Sequence, residues 1–253
     1  QARGARVALL TPQPIEDRRP DPEKDVRNQS LRKFSDGLKD LAAKQGARYV
    51  DQFDPYLAIL LAARATNAAA VIGGGDAVHP GPAGHTLMAW AILKGLGAPA
   101  PVSSVRLDVG RHLRSKVVRT DGCRVTGVRY ADGVLRFDRI DDSLPMPIDS
   151  RATSALKLAP ILEDLSRYEL MIAGLPAGRY DVTMDGELVA TLTAGELAAE
   201  WNMSDVATPV QKQVQQVLAL VFNKNNVYFK RWRNVQLGSG TPQQLQELDK
   251  QLA

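Results

Sequence analysis

Residues 48–70, RYVDQFDPYLAILLAARATNAAA, decide the fold class. The β-rich run RYVDQF, 48–53, predicts a short strand. Asp54 and Pro55 follow it, a pair that supplies an N-cap and a first-turn proline for a helix running to about Ala70. This stretch therefore predicts a strand that leads directly into a helix.

The same order precedes this stretch. The apolar run RVALLT, 6–11, stops at prolines and predicts a buried strand. Apolar residues then recur at spacings of three and four from Asn28 to Lys44, which predicts a helix, and Gly46 is placed to cap it. Strand, helix, strand, helix is typical of a parallel α/β layer. Because two parallel strands leave unpaired edges, we expect further strands from a segment outside this sequence.

Bulk composition restricts the class of protein. The 253 residues are 44% hydrophobic and 24% charged, as in an ordinary globular protein, and no apolar run reaches transmembrane length. One cysteine, Cys123, excludes an internal disulfide and a cysteine-based zinc cluster. The net charge of +4 is spread along the chain without a nucleic-acid motif. We therefore expect neither a nucleic acid nor a membrane as partner.

The chain changes character after about residue 100. Alternating strand patterns over 102–139 and 168–192, with turns at Asp121-Gly122, Asp132-Gly133 and Asp185-Gly186, predict antiparallel strands. We expect this accessory β region to pack against the core, and a carbohydrate-binding surface is the alternative. Residues 141–167 give no clear pattern.

Helical signals return near the end of the chain. Thr193 and Glu196 have capping-box spacing, and Thr208 with Pro209 begins a long helix reaching about Val235. The predicted domains are 1–100, the α/β core portion, 101–193, the antiparallel β accessory region, and 194–253, a helical extension packing on the core.

The chemistry concentrates in IGGGDAVHPGPAGH, 72–85. A tight turn can fold the carboxylate of Asp76 onto Nδ1 of His79, and an imidazole held in this way is a general base for a serine. A glycine-rich turn with an incidental histidine is the alternative interpretation. A further alternative is a zinc site with Asp76, His79 and His85 as ligands. We interpret His85 as structural, however, and expect neither a metal nor a cofactor. The loop lacks the spacing of a phosphate-binding loop.

Residues 75–89, GDAVHPGPAGHTLMA, resemble the last conserved block of the SGNH hydrolases, also called the GDSL family, which has the form D-x-x-H-P followed by a helix. Residues 6–98 are similar to the C-terminal part of that family's flavodoxin-like core, a parallel sheet with flanking helices. The resemblance implies Asp76 as the orienting acid and His79 as the base of a Ser-His-Asp triad. It also favours a secreted or periplasmic location.

The other family blocks are missing. The sequence contains no G-D-S nucleophile block, no glycine block for the oxyanion hole and no G-x-N-D block. Ser30, Ser35, Ser103 and Ser104 have no such context, so none is assigned as nucleophile. We expect an N-terminal segment of the same hydrolase to supply the serine and the oxyanion donors.

The expected function is a carboxylic-ester hydrolase, with an acylated carbohydrate as one candidate substrate. The alternative is a non-catalytic binding or structural module that retains half of a hydrolase fold. Residues 209–233, PVQKQVQQVLALVFNKNNVYFKRWR, resemble an extension of planctomycete GDSL-like proteins. That likeness suggests Tyr228, Arg231 and Trp232 as substrate-binding residues, whereas the alternative places their aromatic rings in the helix core.

Overall fold

The computed structural model of the protein describes residues 4–110 and 115–252. It is a mixed α/β structure, which confirms the coarse fold class. The strands are β1 (Ala8–Leu10), β2 (Arg48–Val50), β3 (Pro101–Val109), β4 (Ser115–Asp121), β5 (Cys123–Ala131), β6 (Val134–Asp141), β7 (Arg167–Ala173), β8 (Arg179–Met184), β9 (Glu187–Thr193) and β10 (Trp201–Asn202). The helices are α1 (Val26–Gln45), α2 (Phe53–Thr66), α3 (Pro82–Leu96), α4 (Ile161–Leu165), α5 (Ala194–Leu197), α6 (Pro209–Phe229) and α7 (Pro242–Leu252).

The described residues fall into two compact units. One is drawn from 1–179 and 192–205, and the other from 180–191 and 206–253. This division reflects which residues contact one another in space. It does not test the three domains predicted from the sequence, which stay a prediction.

The first unit begins with the predicted strand–helix–strand–helix order. β1 and β2 pair in parallel, with Leu9 opposite Tyr49. The N-cap prediction for α2 is wrong, because the helix begins at Phe53 and not after Asp54. The physical reason is Asp51, whose Oδ1 accepts the backbone N–H groups of Phe53 (2.9 Å) and Asp54 (3.2 Å) and so starts the helix earlier.

A second sheet in the same unit has the strand order β10-β7-β3-β4. The expectation of antiparallel strands throughout is wrong here, because β3 and β7 pair in parallel. The long connection that a parallel pair needs runs from β3 through β4, β5 and β6 to β7. Residues 141–167, which gave no pattern in the sequence, form its last part through a 3₁₀ helix (Ser150–Lys157) and α4.

The predicted turns have mixed outcomes. Asp121-Gly122 closes no hairpin, since β4 pairs with β3 and β5 pairs with β6. Asp132-Gly133 joins β5 to β6 and Asp185-Gly186 joins β8 to β9, with positive φ at all four residues. Positive φ at both central residues is what a type I′ hairpin turn requires, so these two predictions are confirmed.

The main core lies between α2, α3, the 3₁₀ helix and α4. Its buried side chains include Phe53, Leu60, Leu87 and Ile161. At its edge Asp164 of α4 accepts hydrogen bonds from Trp90 Nε1 (2.8 Å) and Lys94 Nζ (2.7 Å) of α3. The connection between β6 and β7 therefore covers α3, the helix that follows the candidate catalytic loop.

The predicted helix caps near the C-terminus are present. Thr193 and Glu196 form a complete capping box at α5, and Thr208 Oγ1 accepts the N–H of Gln211 at the start of α6. α6 continues as a π-helical turn over Lys230–Gln236. None of the helices in residues 4–110 and 115–252 has the length and apolar character of a membrane span.

Candidate active site

Asp76 and His79 lie in the loop between α2 and α3 and contact each other. Nδ1 of His79 is 2.8 Å from Oδ2 of Asp76. The other carboxylate oxygen, Oδ1, accepts the backbone N–H groups of Val78 (2.8 Å) and His79 (2.7 Å), and the N–H of Asp76 donates to the carbonyl of His79 (3.2 Å). Four hydrogen bonds within four residues thus fix the carboxylate against the imidazole, as the local spacing predicted.

The same contacts set the charge of Asp76. The N–H of Val78, then the ring and the N–H of His79, lower the pKa of Asp76 to about 2. The carboxylate is therefore ionised near neutral pH. An ionised Asp76 can only accept, so Nδ1 of His79 carries the hydrogen and Nε2 of the neutral ring presents a lone pair.

The free side of the imidazole faces solvent. The His79 side chain is 81% exposed, and in the described part of the chain Nε2 has no hydrogen-bond partner. Three of the serines that were not assigned as nucleophile have other surroundings. Ser30 and Ser35 donate to carbonyls of α1, and Ser103 lies buried in β3. The structure therefore places a carboxylate against an imidazole, and no hydroxyl of the described residues is hydrogen-bonded to Nε2 of that ring.

Glycines allow the loop to close. Gly75 has φ +76°, and a Cβ on it would lie 2.1 Å from the carbonyl oxygen of His79. Gly73 is equally confined, because a Cβ on it would lie 2.2 Å from the hydroxyl oxygen of Tyr56 and 2.8 Å from Oε2 of Glu16. Any side chain at Gly75 would break the turn that brings Asp76 to His79.

A buried glutamate holds the start of the Asp76–His79 loop in place through hydrogen bonds, which we call the brace. Glu16, 6% exposed, accepts hydrogen bonds from the backbone N–H groups of Ile72 and Gly73 (the latter 3.0 Å) and from the hydroxyl of Tyr56 (2.8 Å). Burial, together with the nearby Glu16 charge, raises the pKa of Tyr56 well above its usual value, so the phenol remains a donor.

Backbone and side-chain contacts from the segment after β1 complete this brace. The N–H of Glu16 donates to the carbonyl of Ala77 (3.0 Å), and Nε2 of Gln13 donates to the carbonyl of Val78 (3.1 Å). Neither residue was predicted from the sequence, because nothing in PQPIED, residues 12–17, indicates that its glutamate is buried. Their position alone could have indicated a role, because they follow β1, and functional sites lie at the carboxyl ends of parallel strands.

His85 has a local role. Its Nδ1 lies 3.1 Å from the carbonyl oxygen of Gly81, the N-cap residue of α3, and it donates a hydrogen to that oxygen. Residues 4–110 and 115–252 contain no group of three or more His, Cys, Asp or Glu side chains able to hold a metal ion. The alternative zinc set of Asp76, His79 and His85 is therefore not assembled.

The residues predicted for substrate binding belong to the second unit. Tyr228 is 57% exposed on α6 and Trp232 is 42% exposed in the π-helical turn, so the alternative of an aromatic core face is wrong for these two rings. Arg231 donates to Asp249 and, at 3.1 Å, to Oε1 of Gln236. Arg231 therefore has a structural ion pair, and substrate binding by all three stays a prediction.

Comparisons with known proteins give one informative result. No family model matches the chain, and no curated protein gives a significant match. Among solved structures, BT4096, a gut microbial diltiazem-metabolizing enzyme, is similar with a TM-score of 0.78 and 19% sequence identity. The similarity covers 98% of this chain and 61% of that one, so this chain spans under two thirds of its neighbour's length. At this identity the likeness shows a shared fold.

Proposed function

We propose that this chain carries the base and the orienting acid of a carboxylic-ester hydrolase of the SGNH type, built on the C-terminal part of a flavodoxin-like core. One observation carries the proposal. The ionised carboxylate of Asp76 holds Nδ1 of His79 at 2.8 Å and leaves Nε2 open to solvent. This is the arrangement that a serine nucleophile requires of its base.

The geometry supports a two-step reaction. Nε2 of His79 takes the proton of a serine hydroxyl as that oxygen attacks the ester carbonyl, and the imidazolium is stabilised by Asp76. The imidazolium then protonates the leaving alkoxide, which gives an alcohol and an acyl-serine. Water, deprotonated by the same nitrogen, hydrolyses the acyl-serine, and the proton returns to the serine as the acid leaves.

A further segment of the same hydrolase supplies the serine and the oxyanion donors in this proposal. One support is a mostly apolar groove of about 290 Å³, lined by Val7, Leu9, Leu41, Gln45 and Ala47 beside the β1–β2 pair. A parallel pair with an open apolar flank is suited to accept additional sheet and helix.

A buried hydrogen-bond acceptor without a partner among the described residues gives independent support for a further segment that packs here. Gln52, directly after β2, is 6% exposed, and its Nε2 donates to the carbonyl of Thr11 (2.5 Å). Its Oε1 has no hydrogen-bond partner in the described part of the chain. A buried unpaired acceptor costs about 1–3 kcal/mol, so a donor from the complementing segment would remove that cost.

The substrate class is proposed by analogy with the structural neighbour. That neighbour metabolizes diltiazem, an ester-containing drug, and we propose ester substrates for this chain by analogy. Acyl groups on a carbohydrate are our candidate natural substrate, with Tyr228, Arg231 and Trp232 as candidate contacts.

The test compares two histidines of the same loop and helix. In the complete protein, His79→Ala should lower kcat/KM for a short nitrophenyl ester by at least about 10³-fold, because the base is lost. The matched control, His85→Ala, should retain activity. Equal hydrolysis by the His79→Ala variant and the unchanged protein would refute the proposal and favour the non-catalytic module.

A further inference from the structure

The exposed face of the β5–β6 hairpin carries two arginines directly opposite each other. Arg129 of β5 pairs in register with Arg136 of β6, and both are exposed. Arg124 lies on the same exposed face, opposite Ile140. We call Arg124, Arg129 and Arg136 the arginine face.

The arginine face forms no close ion pair among the described residues. Like charges directly opposite on adjacent strands destabilise a sheet. Within the residues that the structure describes, none of the three has a carboxylate within 4.0 Å. Asp138 shares the face, but its Oδ2 lies over the bulge at Gly127, where a Cβ would be 2.9 Å away from it.

A second in-register arginine pair in the same unit behaves differently. Arg106 of β3 lies opposite Arg119 of β4. Arg106 forms a salt bridge with Glu200, and Arg119 lies 3.8 Å from Asp121. In that sheet each arginine of the pair has its own carboxylate. Arg129 and Arg136 have no carboxylate that close in the described part of the chain, so both guanidinium groups can bind an external anion.

The chemistry of the face favours one kind of anion. Guanidinium groups bind carboxylates and phosphates through paired hydrogen bonds, and a row of them suits a polyanion. The aromatic residues of the hairpin, Tyr130 and Phe137, lie on the opposite, half-buried face, so no ring is available to stack with nucleic-acid bases. Exposed Val134 and Ile140 instead offer apolar contact to sugar C–H groups.

We propose that the arginine face binds a carboxylate-bearing polysaccharide. Arg129 and Arg136 pair with its carboxylates, and Arg124 extends the contact along the hairpin. This binding goes beyond the proposed esterase and does not depend on a nucleophile, so the two proposals fail separately.

The test measures binding of polygalacturonic acid to the full chain at low salt. Removing both charges with Arg129→Gln and Arg136→Gln should weaken binding at least about tenfold, since charge-assisted hydrogen bonds are lost. The control Lys33→Gln with Lys39→Gln removes the same charge from exposed positions on α1 and should leave binding unchanged.

Arg129→Glu separates binding from folding. It places opposite charges across the strand pair, so the melting temperature should stay the same or rise while binding is lost. Three results would overturn the proposal: no binding by the unchanged protein, equal binding by the double-Gln variant, or tighter binding of single-stranded DNA of matched charge.

Discussion

Two regions of the first unit hold a carboxylate against a basic side chain, and they do so in opposite surroundings. In the loop, Asp76 and His79 are exposed by 63% and 81%. In the sheet, Arg139 and Asp141 are only 8% and 14% exposed. The ring of Tyr168 lies under the guanidinium at 4.1 Å, and its hydroxyl donates to Asp141 (2.7 Å).

Every nitrogen of the buried guanidinium has a hydrogen-bond partner, whereas one ring nitrogen of the exposed histidine has none among the described residues. Arg139 donates to Asp141 (2.8 Å), to Ser103 (2.8 Å) and to the carbonyl of Glu169 (3.1 Å), and Ser103 in turn donates to Asp141. Each group of this network is committed to fastening the β5–β6 hairpin onto β3 and β7. In the loop the hydrogen bonds end at His79, whose Nε2 has no partner among the described residues. Because the other ring nitrogen fixes the imidazole, this exposed Nε2 can accept a proton from a bound group.

The largest expected effect concerns the loop. Asp76→Asn should lower kcat of the complete protein about 10⁴-fold, because the amide can donate to Nδ1 and stabilise the wrong tautomer of His79. Ester hydrolysis at neutral pH measures this, with Asp138→Asn as the control at an exposed position on the hairpin. Unchanged kcat would contradict a catalytic role for Asp76 and would show that its carboxylate only stabilises the loop.

The next effect concerns the buried network. Arg139→Ala should lower the free energy of unfolding by about 3–5 kcal/mol, because it leaves Asp141 without its cation. Arg106→Ala breaks the exposed pair with Glu200 and should cost less than about 1 kcal/mol. Urea denaturation measures both, and equal losses would remove the contrast between buried and exposed pairs.

The brace under the loop should give a smaller effect. Glu16→Gln replaces an acceptor of three hydrogen bonds by a group that must turn its NH₂ toward a donor, which should cost about 1–3 kcal/mol. Thermal unfolding of this variant, compared with Glu23→Gln at an exposed position, tests the estimate. A loss no larger than that of Glu23→Gln would mean that the loop holds its shape unaided.

The smallest effect is a titration. The pKa of Asp76 lies at about 2, below the ordinary 3.8, so its stabilisation of the loop is complete above pH 3.8 and is lost as pH falls through about 2. The amide proton shifts of Val78 and His79 should therefore titrate with a midpoint near 2 in the folded protein. A midpoint near 3.8 would show that the two amides do not bind the carboxylate.

Local sequence was sufficient for the centre of the site. Asp76 and His79 are three residues apart between glycines, so the turn that joins them depends on few other contacts. The turns at Asp132-Gly133 and Asp185-Gly186 were equally predictable, since each is specified by two adjacent residues.

Long-range features could not be predicted. Glu16 reaches Ile72 and Gly73 across more than fifty residues, and no local pattern encodes that contact. The alternation in β3 and β7 specifies which face is buried but does not specify strand direction, so their parallel pairing was missed. Asp51 has the role predicted for Asp54, because its Oδ1 accepts the N–H groups of Phe53 and Asp54, and the sequence alone did not distinguish the two aspartates.

The central claim is that His79 serves a hydroxyl carried by another segment. Labelling the complete protein with a fluorophosphonate and mapping the modified residue by mass spectrometry tests this most directly. We predict one labelled serine outside the described residues, and loss of that label in the His79→Ala variant. Labelling of a serine within residues 4–110 or 115–252, or no labelling of an assembled protein, would contradict it.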